Sequence, residues 1–167
     1  QQSAIGEWLV KFGEKHGIRF ECDFLLRGNR RGQYNWTAGT RIPGKIKYGY
    51  NLNAPVLGHE LRHGWQHLAL PASCLTPQSP EEFILLNRFI EADSRAIEFG
   101  TTLQIADAMH FEHDYSWHLL ANLDDYEKEI CEYDTVKAQE IAKSPEKLKQ
   151  AMRQAFDLWI SRTPNAP

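Results

Sequence analysis

The sequence predicts an α+β fold, mainly helical, with a small antiparallel sheet near the N-terminal half. Two observations carry that expectation. Apolar residues recur at helical spacing in several segments opened by good capping residues, whereas period-two alternation and β-branched or aromatic enrichment are confined to residues 18–51. A length of 167 residues suits one domain with one core, taken as residues 1–167.

Along the chain, Ile5, Leu9 and Phe12 share a helical face over residues 3–16, with Ser3 as cap and Gly17 as stop. Ile18 to Leu26, around Phe20, Phe24 and Leu25, reads as a strand. Arg27 to Gly44 is polar and Gly-rich and reads as a long loop with a short strand around Tyr34 to Thr37. From Lys45 to Asn51, Lys45, Lys47 and Gly49 alternate with Ile46, Tyr48 and Tyr50, and the lysines suit a sheet edge. Asn53 caps a helix that accepts Pro55 in its first turn and stops near Leu70, before Pro71. Ser79, with Glu82 three residues on, has the form of a capping box and opens a long helix to about Met109. Tyr115 to Thr163 reads as further helices, the last beginning at Ser144-Pro145.

Composition narrows the function. Hydrophobic residues make up 42% and charged residues 25%, with a net charge of -3, ordinary for a soluble globular protein and no sign of a nucleic-acid partner. The cluster Arg27, Arg30, Arg31 lies among Gly28, Asn29 and Gly32 and decorates a loop. No apolar run approaches the roughly 18 residues of a membrane span, and residues 1–20 lack the organisation of a signal peptide, so a soluble protein is expected. Cys22, Cys74 and Cys131 form no CxxC pair and favour a reducing, cytoplasmic compartment. The start at Gln1, not Met, leads us to expect that something upstream was removed or left out.

Chemistry concentrates in His59-Glu60-Leu61-Arg62-His63. At about 100° per residue, His59 and His63 sit one turn apart on one face and converge on a single ion, with Glu60 offset to act as base toward a metal-bound water. Leu57, Leu61, Trp65 and Leu68 cluster on roughly the opposite side, so one face anchors in the core and the other meets a cleft. Zinc is therefore the expected cofactor, and a peptide or protein the expected substrate.

The order of strand, helix carrying Gly58-His59-Glu60-Leu61-Arg62-His63, then a second helix bearing an acidic residue resembles the gluzincin branch of HExxH zinc peptidases over residues 45–105. The string also looks like that of bacterial metallopeptidases whose substrates are undefined. The resemblance implies a zincin-like domain in which the active-site helix is followed by a long ligand-bearing helix. The metzincin branch is rejected, because Gln66 and Ala69 stand where its motif needs Gly and His. Gly100-Thr101 is similar to part of the aspzincin GTxxD element, but Gln104 replaces its Asp.

A gluzincin-like site implies a downstream Glu as third ligand. The segment Ile90 to Ala96 supplies Glu91, although Arg95 occupies the position where such proteins place an Asp. Asp93 lies about 200° around the helix from Glu91, so both cannot face one ion. Asp93 shares an arc with Leu86, Phe89, Ile90 and Ile97 and needs a partner there: it is either the ligand or a carboxylate that orients His59 or His63 through the nitrogen not bound to metal. Glu91 is favoured as ligand and Asp93 as the orienting group. His67 is too far along the helix to join His59 on one ion and is expected to line the cleft. His110, His113, Tyr115 and His118 read as surface or packing residues. By resemblance, strand residues Ile46 to Tyr50 would pair with an extended substrate, with Tyr48 and Tyr50 either on its side chains or in the core. The competing functional expectation is a catalytically silent zincin-like module used for protein binding, against which the intact Glu60 speaks.

Overall fold

The computed structural model describes residues 3–23, 32–37, 40–49, 52–109, 121 and 123–162. Helix α1 spans Ala4–His16; Ser3 Oγ accepts the N–H of Gly6, and Gly17 closes the helix at φ 69°, a left-handed conformation that favours glycine. Three short strands follow, β1 (Arg19–Cys22), β2 (Gly32–Asn35) and β3 (Lys45–Tyr48). They make one sheet in the order β1-β3-β2. β2 pairs antiparallel with β3 and β1 pairs parallel with it, so the sheet is mixed where an antiparallel one was expected.

The lysine-bearing strand, expected at an edge, is central. Ile46 is fully buried, and the two lysines are answered across the sheet: Lys45 pairs with Glu21 and Lys47 with Asp23, the latter at 3.1 Å. What reads as edge protection is therefore charge pairing with β1 and with Asp23 just beyond its end. β1 is shorter than the strand expected over residues 18–26; Phe24 and Leu25 lie outside the described residues, as do Arg27, Arg30, Arg31 and Tyr50. β2 begins two residues ahead of the expected Tyr34 and stops at Asn35.

Helix α2 spans Ala54–Ala69. Asn53 Oδ1 accepts the Val56 N–H at 2.9 Å, and the Arg41 guanidinium covers the far end by donating to the carbonyls of His67 and Leu70. A 3₁₀ turn, Ala72–Leu75, leads to helix α3, Pro80–Ala108. Ser79 Oγ accepts from Glu82 N, but the Glu82 carboxylate reaches Gln78 N and not its own cap, so the box expected here closes one residue further out. Helices α4 (Asp125–Ile130), α5 (Thr135–Lys143) and α6 (Pro145–Arg162) complete the described chain. None of the described helices is long and apolar enough to cross a membrane.

Two apolar clusters hold these elements. Leu9, Ile18, Tyr34, Ile46 and Leu61 join α1, the sheet and α2, with Leu57, Trp65 and Leu68 packed against them. The expected apolar stripe of α2 thus faces this cluster. The larger cluster joins the second half of α3, through Phe99, Leu103 and Ala106, to Tyr126, Ile141 and Trp159 from the C-terminal helices. α3 belongs to both halves of the architecture: its Glu91 to Glu98 stretch lies against α2, and its later residues build the helical core.

Glu127 is buried beside this core, where its Oε2 accepts the Asp124 N–H at 2.8 Å. Burial first, then the nearby Asp124 and Glu98 charges, push its carboxyl up to about 8, against the opposing hydrogen bond from Asp124. Because the folded-state pKa lies above the unfolded one, the stability Glu127 contributes is complete below about pH 4.5 and is lost as pH rises toward about 8. Glu127→Gln keeps the acceptor and removes the titration. Melting temperatures taken from pH 5 to pH 8 should therefore show the variant gaining steadily on the wild type, and a constant difference would refute the assignment.

Candidate metal centre

α2 turns Leu61 into the first apolar cluster and thereby turns His59 and His63 toward α3. His59 and Glu60 are buried, and His63 is half-buried. The two Nε2 atoms stand 3.0 Å apart. From α3, Glu91 brings Oε1 to 3.4 Å from His59 Nε2 and Oε2 to 3.4 Å from His63 Nε2. His59, His63 and Glu91 therefore form a cluster that could hold a metal ion, with one donor atom from each lying within 4.8 Å of the others.

The donor chemistry fits a divalent cation. Bonds of about 2.0–2.1 Å in a tetrahedral zinc site put ligand atoms roughly 3.3 Å apart, the scale seen here. The hydrogen-bond network argues the same way. The Gln66 amide nitrogen donates to Ile90 O at 3.0 Å and to Asp93 Oδ2 at 2.6 Å, which turns its oxygen toward His63 Nδ1 at 3.0 Å. His63 Nδ1 must then carry the hydrogen, leaving the Nε2 lone pair free, and Ser94 Oγ sits 3.1 Å from the same Nδ1. On His59, Nδ1 faces Glu98 Oε2 at 3.1 Å, although the approach is too oblique to complete a hydrogen bond. Two imidazole Nε2 atoms converging beside a carboxylate are a donor set that could hold a cation.

Electrostatics follow from the same geometry. Burial disfavours charge on His59, but Glu91 and Glu98 outweigh it and raise the imidazole to about 9. Burial pushes Glu91 the other way, yet its contacts with His59 and His63 hold the carboxyl far below the usual carboxylate range. Arg95 bridges the acids of α3, with Nε 3.3 Å from Glu91 Oε1 and Nη1 3.3 Å from Glu98 Oε2.

Asp93, the alternative ligand, is engaged elsewhere. Arg62 grips it with two hydrogen bonds, Nε to Oδ2 at 2.6 Å and Nη2 to Oδ1 at 3.1 Å, and Gln66 takes the shared Oδ2. It reaches His63 only through Gln66. The partner that its apolar arc demanded is the arginine inside the HELRH string itself.

Glu60 lies beside this cluster and is tied to the sheet. Its Oε2 accepts the backbone N–H of Tyr34 on β2 at 2.6 Å. Burial raises its carboxyl above the usual range, opposed by the neighbouring His59 and His63. Gly32 lies over its side chain so closely that a Cβ there would stand 2.9 Å from Glu60 Cγ. Tyr34 is also tied to α2 by its hydroxyl, which donates to His67 Nδ1 at 3.0 Å and accepts the Gly44 N–H at 2.9 Å. His67 Nε2 donates to Thr40 O at 2.6 Å, so both ring nitrogens are committed.

His67 lines a cleft of about 480 Å³ beside His63 and Glu91, walled by Tyr34, Trp36, Ile90 and Trp159. Tyr48 is not among the residues lining that cleft. Tyr50, His110, His113, Tyr115 and His118 lie outside the described residues. Gln104, which spoils the GTxxD element, accepts from Ser3 Oγ at 2.6 Å and so fastens α3 to the start of α1. Tyr34, Gly32, Gln66, Ser94 and Glu98 are the residues of the site that motif reading missed. Gln66, one turn beyond His63, and Ser94 and Glu98, one and two turns beyond Glu91, had spacings that could have announced them.

The pattern of the Putative metallopeptidase family (DUF6782) matches residues 37–164, which takes in β3, α2 and α3. No curated protein and no solved structure matches the chain.

Proposed function

Since this chain belongs to the Putative metallopeptidase family, we propose that it is a zinc-dependent peptidase of the gluzincin type. His59, His63 and Glu91 would be the metal ligands and Glu60 the general base, within one domain. The convergence of two Nε2 atoms and a carboxylate at 3.0–3.4 Å, next to a clamped Glu60, carries the reading. Two imidazoles and one carboxylate with no thiol are a known catalytic zinc set, and three protein ligands leave a position open.

A zinc ion held there would polarise the substrate carbonyl and lower the pKa of a water. Glu60 would take the water proton on Oε1 and return it to the leaving nitrogen, while the Tyr34 N–H keeps Oε2 in place. Its burial strengthens it as a base. With β3 paired on both sides, the strand whose outer edge faces α2 is β2, and an extended peptide would lie there. The cleft walled by Tyr34, Trp36, Ile90 and Trp159 would receive a bulky apolar side chain.

Freshly purified protein should carry about one zinc per chain. It should cleave members of a broad peptide library, enriched for large apolar residues beside the cut, and lose cleavage to a chelator until zinc is restored. Failure to take up zinc would overturn the reading; zinc uptake with no cleavage would favour the silent binding module. A finer test is Gly32→Ala, whose methyl pushes on Glu60. Displacing a reacting group by about 1 Å can lower rate by roughly 10²-fold, so kcat/KM should fall on that scale with zinc content unchanged. Unaltered turnover would show that Gly32 does not set the base.

A further inference from the structure

Resting on the metal-centre reading above, we propose that Glu98 is the positioning carboxylate of His59, braced by Arg95 on the same stripe of α3. An imidazole offers Nε2 to a metal only when Nδ1 carries the hydrogen, and the group facing Nδ1 decides that tautomer and the ring orientation. For His63 the group is Gln66, supported by Asp93 and Ser94. His59 has no such amide. The acceptor within hydrogen-bond distance of its Nδ1 is Glu98 Oε2, at 3.1 Å, and the histidine ring torsion is soft enough for the pair to align.

Spacing explains why α3 can do this. Glu91, Arg95 and Glu98 fall at i, i+4 and i+7, one face of a helix. Arg95 bonds the two acids from between them, both contacts at 3.3 Å, which restrains the Glu98 rotamer and offsets a second negative charge beside the ligand. Arg95 stands where the family resemblance leads one to expect an acidic residue. The geometry moves the acidic function three residues on.

The test uses Glu98→Met, close in shape but with no oxygen acceptor, and Glu98→Gln, which keeps an acceptor. Zinc affinity is measured by competition with a chromophoric chelator, and coordination by the visible spectrum of the cobalt-loaded protein. Loss of a group supporting a ligating histidine weakens metal binding roughly 10–100-fold. Glu98→Met should lose affinity on that scale and shift the cobalt bands, and Glu98→Gln should recover much of the loss. Wild-type-like affinity and bands in Glu98→Met would overturn the inference while leaving the metal centre standing; a wild type that takes up neither ion would remove both. Should Glu98→Met fail to fold, nitrogen-15 NMR of the zinc-loaded wild type decides: His59 protonated at Nδ1 supports the assignment, and His59 protonated at Nε2 with metal on Nδ1 refutes it.

Discussion

Glu60→Gln is expected to stop turnover while leaving the zinc in place. Glutamine preserves the shape and still accepts the Tyr34 N–H that now bonds Oε2, so the sheet-to-helix clamp survives. What it cannot do is take a proton. A positioned general base contributes roughly 10²–10⁴-fold, and kcat should fall by at least that range. Metal content and melting temperature should match the wild type, which separates lost chemistry from lost structure. A variant that cleaves as fast as the wild type would remove Glu60 from the mechanism.

The second large effect concerns the metal ligands. His59→Ala, His63→Ala and Glu91→Ala should each lose zinc by more than the 10–100-fold typical of removing a supporting residue. Asp93→Ala should stay within that smaller range, because Asp93 touches Arg62 and Gln66 and reaches His63 only through the amide. Zinc at about 1,000 times its dissociation constant stabilises the folded state by about 4 kcal/mol, roughly 10 °C in melting temperature for a chain of this size. That zinc-dependent rise should vanish in Glu91→Ala and persist in Asp93→Ala. The reverse pattern, read by calorimetry with and without zinc, would make Asp93 the ligand.

How much of this was legible beforehand depends on how local each signal is. The ends of α2 and the start of α3 follow from Asn53, Pro71 and Ser79, because capping is settled within one turn of chain. The place of β3 in the sheet was not legible. Alternation tells which side chains share a face and is silent about what pairs on either flank, so Lys45 and Lys47 were compatible with an edge until the fold brought Glu21 and Asp23 into ion-pair reach of them. The bond between Arg62 and Asp93 spans 31 residues and two helices, and a single sequence carries no trace of such a contact. Gln66 was informative only as a mismatch to another branch of the fold family. In space it is the link between His63 and Asp93. Tyr34 was read as an ordinary strand residue, and its double attachment to Glu60 and His67 depends on where the sheet docks.

Because α3 presents Glu91, Arg95 and Glu98 to α2 and then Phe99 and Leu103 to the helical core, its two halves are locked in rotational phase. One residue inserted or deleted between Glu91 and Phe99 would turn one half against the other by about 100°. Either the carboxylates would swing off the histidines or Phe99 would leave the core. A substitution along this stretch changes the contacts of one side chain, whereas a change in its length turns a whole face against the other. Evolutionary insertions should therefore be excluded from residues 91–99 and admitted in the connections, where no two faces have to stay in register.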